Sequence, residues 1–284
     1  MIVSKLLGYA VLVQIPTNQS SELGSILFFF TLSIGILILF SLSGKVGLGI
    51  QIPGVSRPLP NKYKEILREY FFYYNRLPAN KKRLFERKMQ QFIYLKEFIP
   101  RHLDQPTDEM KVLISACAVQ LTLGLPKVFL SHFKRILIYP DDYYSTINRR
   151  YHRGEVNPKM RAIVLSWNHF VDGYIKPDDG RNLGLHEMAH ALHLENRIFN
   201  GEFKFFVQED LDLWNALSLL EIDKIRRGEA HMFRDYAATN KDEFFAVAVE
   251  NFFERPREFG NQMPAVYEVL VKLLKQDPRE YILT

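Results

Sequence analysis

The chain has almost no cysteine, since Cys117 is the only one among 284 residues. An intrachain disulfide is therefore impossible, and nothing in the composition points to an oxidising compartment. Cys117 lies in an apolar segment, where we expect it to be a small core side chain. The sequence also lacks internal repeats and low-complexity tracts. With 47% hydrophobic residues, it has the composition of a globular protein rather than a disordered one.

Charge is absent from one long stretch near the N-terminus. Residues 23–44 contain no Asp, Glu, Lys or Arg, and a helix of that length reaches about 33 Å. Because a bilayer core is about 30 Å thick, the sequence predicts a transmembrane helix, with a buried core helix as the alternative. Basic residues are in excess only after the stretch, which predicts that the part that follows faces the cytoplasm. These basic residues are Lys45, Arg57, Lys62 and Lys64.

The rest of the chain divides into three parts. Residues 1–22 form an N-terminal segment, residues 45–59 are a linker rich in Gly and Pro, and residues 60–284 are predicted to be one catalytic domain. Residues 57–101 contain 12 Lys and Arg against 4 Glu, with apolar side chains at helical spacing. This pattern favours an amphipathic helix beside an anionic membrane surface over a nucleic-acid site, so we expect no nucleic-acid partner.

Apolar periodicity predicts an α+β domain that is mostly helical with a small sheet. Short β-rich runs predict strands at Ile136–Tyr139 and Ala162–Trp167. Helices are predicted at residues 61–75, 79–98, 107–123, 183–194, 205–225, 241–253 and 264–275.

The most informative motif is HExxH, at His186-Glu187-Met188-Ala189-His190 in one of the predicted helices. Histidines four residues apart share a helix face, so both imidazoles can reach one metal ion. Glu187 points toward the same side and can hold a water in the fourth position around the metal. This arrangement is typical of zinc peptidases. The alternative is an amphipathic helix that carries two histidines on its polar face without a metal.

A catalytic zinc needs a third protein ligand, and a third histidine is the first candidate. His193 shares a face with His186, but it lies about 10.5 Å further along the helix axis. We therefore expect His193 to line the pocket or to orient a ligand. The metzincin pattern would place a histidine at position 196, which is Asn196 in this chain.

A carboxylate is the other kind of third ligand. Nothing in the sequence singles out Glu195 or Glu209. Glu243, in a later predicted helix, fits a site of two His and one Glu. Asn240 lies three residues earlier, however, so the pair is also a capping box, and spacing alone does not decide between ligand and cap.

Several segments together resemble the Mlc titration factor A family of zinc peptidases, which are gluzincins similar to the catalytic domain of anthrax lethal factor. The matching segments are residues 165–167, 177–182, the HExxH motif, 236–256 and 276–278, with weaker matches at 107–110 and 138–140. Coverage is roughly residues 60–284. The resemblance implies a zincin-like fold, peptide or protein substrates, and a transcriptional regulator as a possible partner.

The same resemblance implies roles for individual residues. His186, His190 and Glu243 would bind zinc, and Glu187 would be the catalytic base. Tyr236 matches the tyrosine of the family that precedes the glutamate ligand, and its hydroxyl would stabilise the oxyanion, although a core aromatic is the alternative.

Glu250 and His193 are the predicted supporting residues of the site. Glu250 follows Glu243 by seven residues on the same helix face, so it either orients a ligand or is a paired structural carboxylate. His193 stands where the family usually has Asp, and residues 195–206 match poorly. The predicted membrane anchor also departs from the usual cytosolic pattern of the family.

Overall fold

The computed structural model describes residues 27–36, 58–125, 127–145, 150–229 and 231–281. The chain divides into two units, Met1–Val55 and Ser56–Thr284. In the first unit, residues 27–36 form helix α1, and most of its apolar side chains are exposed.

Within these described ranges, no helix is long and apolar enough to cross a membrane. More than half of the stretch 23–44 lies outside the described residues, so the transmembrane helix stays a prediction. Segment 1–22 lies wholly outside them and linker 45–59 almost wholly, and the predicted domain boundaries also stay predictions.

The second unit is α+β and mostly helical, as the sequence predicts. Its helices are α2 (Asn61–Tyr70), α3 (Phe72–Arg76), α4 (Ala79–Leu95), α5 (Asp108–Thr122), α6 (Trp167–Ile175), α7 (Leu183–Arg197), α8 (Gln208–Arg226), α9 (Lys241–Glu254), α10 (Pro256–Gln262) and α11 (Pro264–Leu274). Its strands are β1 (Glu97–Pro100), β2 (Arg135–Tyr139), β3 (Tyr143–Ser145), β4 (Arg150–His152), β5 (Gly154–Asn157) and β6 (Ala162–Ser166). Short 3-10 helices lie at Asp235–Ala238 and Pro278–Tyr281.

Four of the strands form one sheet in the order β1-β2-β6-β5. The first three are parallel, whereas β5 runs antiparallel to β6 at the edge. Strands β3 and β4 form a separate antiparallel pair. Helix α7 packs against both β6 and β5, so the sheet supports the helix that carries the HExxH motif.

Helix α5 forms the centre of the core. Its side chains are buried on every face from Val112 to Thr122, and it packs against α2, α4 and α7. The contact with α7 is close at Gly184, where an added Cβ would lie 3.1 Å from Cys117 Sγ and 2.5 Å from the Phe170 ring. Cys117 is fully buried, which confirms its predicted place in the core.

The helix predicted for residues 61–75 is wrong as one element. The backbone leaves helical geometry at Phe71 (φ −118°, ψ 86°), and this break separates α2 from α3. The break lets the Phe71 side chain turn into the core, where it is 1% exposed. Ile66 and Leu67 are buried as well, so most of the apolar face of this basic stretch belongs to the domain core.

The predicted ends of two other elements are also wrong. The helix predicted for 79–98 ends at Leu95, because the next residues pair with β2 as strand β1. The strand predicted for Ala162–Trp167 ends at Ser166, whose hydroxyl caps α6 by accepting from His169 N. Sequence analysis missed β1, β3, β4, β5, α6 and α10.

Candidate metal centre

The centre is built on the N-terminal halves of α7 and α9, which pack against each other. An asparagine caps each helix: Asn182 Oδ1 accepts from Leu185 N at 3.0 Å, and Asn240 Oδ1 accepts from Glu243 N at 2.9 Å. Sequence analysis treated ligand and cap as alternatives for Glu243. The structure shows the cap, which uses the backbone N–H of Glu243, and the Glu243 carboxylate is left to face α7, so the cap does not exclude the predicted ligand role.

Three ligand atoms meet where the two helices touch. His190 Nε2 lies 3.1 Å from His186 Nε2, and Glu243 Oε2 lies 3.1 Å from His186 Nε2 and 3.4 Å from His190 Nε2. Ligands at about 2.1 Å from a tetrahedral zinc stand about 3.4 Å apart. The three atoms therefore have the spacing of one face of a tetrahedral metal site.

The hydrogen bonding of this triangle also fits a cation. Glu243 Oε2 is buried and forms no hydrogen bond of acceptable geometry with any described residue. His186 Nδ1 lies 2.7 Å from Glu250 Oε1, and because a carboxylate only accepts, the proton sits on Nδ1. His186 Nε2 therefore faces the centre, 3.1 Å from Glu243 Oε2, and in the neutral imidazole its lone pair would be available to a metal ion.

Glu250, about two turns after Glu243 on α9, fixes the orientation of this imidazole. It is 1% exposed and also accepts from Arg234 Nη2 at 2.7 Å and from Asn182 N at 2.7 Å. The structure therefore places Glu250 against His186 in the position expected of a residue that orients a ligand.

The pKa values of Glu243 and His186 are both shifted in the direction that favours a positive charge between their side chains. Burial favours the neutral form of Glu243, but the close His186 and His190 imidazoles hold its pKa well below the usual range. Burial likewise disfavours the charged form of His186, yet its carboxylate partners Glu243 and Glu250 raise its pKa to about 10. A proton satisfies this cluster in part, and a divalent metal ion would satisfy it in the same place.

Glu187 lies beside the centre under the edge strand β5. It is 6% exposed, and burial raises the pKa of its carboxyl group. The backbone of Gly154 passes so close that an added Cβ would lie 2.5 Å from Glu187 Oε1. Glycine at this position is therefore required for the carboxylate to occupy its place.

Tyr236 lies on the 3-10 helix Asp235–Ala238, and its ring centroid is 6.0 Å from that of His186. Partial burial and the neighbouring Glu243 carboxylate raise the pKa of Tyr236 to about 12. The phenol therefore keeps its proton near neutral pH and can donate a hydrogen bond. Its ring is 49% exposed, which puts the hydroxyl within reach of a bound molecule.

The other candidate ligands lie away from the triangle. His193 Nδ1 lies 3.0 Å from Asp242 Oδ1, so it ties α7 to the residue before Glu243. The Glu195 carboxylate accepts from His132 N, and Glu209 is exposed at the start of α8. Sequence analysis missed two supporting residues, Gly154 and Arg234, and no local pattern marks either of them.

Comparisons with known proteins agree with this geometry. The model of the glucose-regulated metallo-peptidase M90 family matches residues 54–275. An uncharacterized protein of Synechocystis sp. is 28% identical over 78% of this chain and 86% of its own length. Proteins named Mlc titration factor A are also similar. The one from Salmonella agona is 28% identical over 60% of this chain and 69% of its own length, and for Yersinia pestis the values are 28%, 66% and 75%.

These matches confirm the resemblance that the sequence motifs indicate. The matched range contains the HExxH helix, Glu243 and Glu250. Because the family model spans well over half of the chain, the chain belongs to the glucose-regulated metallo-peptidase M90 family.

Proposed function

We propose that the chain is a zinc-dependent peptidase in which His186, His190 and Glu243 bind the metal and Glu187 is the general base. Family membership supports a metallopeptidase, and the triangle of ligand atoms is the observation that carries the finer assignment. Two imidazole nitrogens and one carboxylate oxygen at tetrahedral spacing suit zinc better than calcium or magnesium, which prefer six or more oxygen ligands.

Zinc bound in such a site lowers the pKa of a water molecule to about 7 and polarises a carbonyl group. Glu187 then accepts the proton of the attacking water and returns it to the leaving amine, a role that suits a carboxyl group whose pKa is raised by burial. Tyr236 donates a hydrogen bond to the oxygen that becomes negative. Glu250 holds the His186 imidazole in the tautomer that binds metal.

The edge strand β5 supports a peptide as the substrate. Among the described strands, only β6 pairs with β5, so β5 is the last strand on its side of the sheet. An extended peptide can add to such an edge as a further strand. Gly154, at the start of β5, contacts Glu187, so a peptide on this edge would pass beside the base.

Hydrolysis by the zinc-loaded full-length chain tests this function. We expect cleavage of a mixed peptide library, and we expect Glu187→Gln to retain zinc but lose about 10²- to 10⁴-fold in kcat, because an amide cannot accept the proton. Glu209→Gln is the matched control, since this carboxylate is exposed on α8. Full activity of the Glu187→Gln variant would refute the assignment of the base.

A regulator-binding role is the weaker proposal. The name Mlc titration factor A describes binding of a regulator by those relatives, and we infer at most that this chain has a comparable partner. A protein that only bound a regulator would not need Glu187 beside the metal ligands. If Glu187→Gln abolished cleavage while binding of a regulator persisted, the two roles would be separable.

We also propose that residues 23–44 anchor the chain in a membrane, with the catalytic domain in the cytoplasm. The uncharged stretch and the basic residues after it support this placement. The protein should then stay in the membrane fraction after a carbonate wash, and a reporter fused after Thr284 should be active only if it functions in the cytoplasm. Release by carbonate would refute the membrane anchor, and activity of a periplasmic reporter would show the opposite orientation.

A further inference from the structure

A cavity separate from the candidate metal centre lies in the unit Ser56–Thr284, where α3, α5, α6 and the end of α9 line it. Its volume is about 360 Å³, at the lower end of the range for small-molecule sites. Of the residues described at the metal centre, Asn182 alone lines it, and none of the three candidate ligands does. The wall is largely aromatic and includes Tyr70, Phe72, Tyr73, Tyr174, Phe253 and Tyr281.

Two side chains that line this cavity carry buried polar atoms without a partner. Gln120 Oε1 and the Tyr281 hydroxyl form no hydrogen bond with any residue that the structure describes. Gln120 and Tyr281 are each only 5% exposed. Because buried polar groups are nearly always hydrogen-bonded, these atoms indicate that a polar ligand completes the site.

Two carboxyl groups and one guanidinium line the cavity. Glu254 and Asp178 supply the carboxyl groups, and the Arg76 guanidinium lies 3.5 Å from the centre of the exposed Phe72 ring. Glu254 accepts hydrogen bonds from Arg181 N and Asn182 Nδ2 but forms no ion pair with a described residue, and burial raises its pKa to about 8, so a cation beside it would favour its charged form. Aromatic ring faces and an unpaired carboxylate together favour a cation.

We propose that this cavity binds a small organic amine, with its ammonium group paired to Glu254 and its carbon skeleton packed among the aromatic rings. Gln120 Oε1 accepts a second hydrogen bond from the same group. The ammonium belongs either to a free amine or to a lysine side chain of another protein, and the chemistry of the cavity is the same for both.

A chain of hydrogen bonds links this cavity to the metal centre. Glu254 Oε1 accepts from Asn182 Nδ2 at 3.1 Å, and Asn182 N donates to Glu250 Oε2 at 2.7 Å. Glu250 Oε1 in turn accepts from His186 Nδ1 at 2.7 Å. An amine that neutralises Glu254 therefore changes the position or charge of the group that orients His186, and zinc and amine affect the binding of each other equally. This coupling, unlike the amine site itself, rests on the proposed function.

Calorimetry on the metal-free full-length protein tests the site. The probes are 2-phenylethylamine and 2-phenylethanol, which have similar shape but differ in charge. We expect the amine to bind about tenfold more tightly than the alcohol. Glu254→Gln should lose about tenfold in affinity for the amine, whereas Glu258→Gln, an exposed carboxylate outside the cavity, should change nothing.

Gln120→Leu is the second variant, in case Glu254→Gln does not fold, and it should also weaken binding of the amine. Equal affinity for amine and alcohol, or affinity unchanged in both folded variants, would overturn the proposal. Tight binding of glucose in place of the amine would overturn it as well, because it would make the site one for neutral polyols.

Two further measurements identify the source of the amine and test whether amine binding is coupled to zinc binding. Binding of Nα-acetyl-lysine amide as tight as that of 2-phenylethylamine would identify a protein lysine as the source, and binding of the free amine alone would identify a small metabolite. We expect a saturating amine to change the affinity for zinc at least about threefold. An unchanged affinity would refute the coupling alone, and a chain that binds amine but no zinc would refute the proposed function and leave the amine site standing.

Discussion

Two groups of side chains in the described residues each bring three possible metal ligands within 4.8 Å. The first group is His186, His190 and Glu243, and the second group is Asp141, Asp142 and His169. By residue type the two groups are alike, since both combine imidazole and carboxylate. By structure they differ in burial, in partners and in the elements that hold them.

The second group is satisfied without a metal. Asp141 and Asp142 are exposed after β2, and His169 Nε2 lies 2.7 Å from Asp142 Oδ1. In the first group, two packed helices hold the ligands, and Glu243 Oε2 is buried without a hydrogen bond. The comparison shows that closeness of possible ligands is common to both groups, whereas burial of a carboxylate oxygen and an imidazole oriented by Glu250 distinguish the first.

Removing an imidazole should separate the two groups most strongly. His190→Ala should bind no zinc and should lose nearly all peptidase activity, about 10³-fold or more, because a tripod with two ligands does not retain the metal. His169→Ala should keep both. Metal content by mass spectrometry and peptide hydrolysis measure the effect, and a His190→Ala protein that holds stoichiometric zinc would contradict the assignment.

Substitution of Glu250, which lies against Nδ1 of His186, should have a smaller effect on zinc binding. Glu250→Gln should weaken zinc binding about 10- to 100-fold, because the amide is a poorer acceptor for His186 Nδ1. Titration with a competing chelator gives the affinity. Glu258→Gln is the control on the next helix, α10. An unchanged affinity in Glu250→Gln would mean that Glu250 is a structural partner of Arg234 only.

A shift of the Glu187 carboxylate that leaves the proposed metal ligands unchanged should have the smallest effect on activity. Gly154→Ala places a Cβ 2.5 Å from Glu187 Oε1, so the carboxylate must shift. We expect kcat to fall about tenfold or more with zinc retained. Gly201→Ala, where an added Cβ meets nothing within 4 Å, is the matched control. Equal kcat values for the two variants would show that the edge strand does not position Glu187.

Sequence patterns predicted the parts of the centre that depend on helices. The HExxH spacing gave one helix face, and the seven-residue step from Glu243 to Glu250 gave another. The sequence does not decide whether Glu243 completes a cap with Asn240 or is a metal ligand, because both roles allow the same spacing. In the structure the backbone N–H of Glu243 completes the cap while its carboxylate faces α7, and this contact between α7 and α9 joins residues about fifty positions apart.

The edge strand and the aromatic cavity had no such signal. Strand β5 is the four residues Gly-Glu-Val-Asn, too short and too polar for a β pattern, and it exists because β6 pairs with it. The cavity joins Tyr73 to Tyr281, with ring centroids 6.0 Å apart, across most of the chain. Both features come from tertiary packing, which local periodicity does not encode.

Metal content of two variants tests the central claim most directly. Glu243→Ala and Asp142→Ala each remove one carboxylate from one of the two groups. After zinc loading and gel filtration of the full-length proteins, we predict one zinc per chain for Asp142→Ala and almost none for Glu243→Ala. Equal zinc in both variants, or loss of zinc from Asp142→Ala instead, would contradict the assignment of the metal centre to α7 and α9.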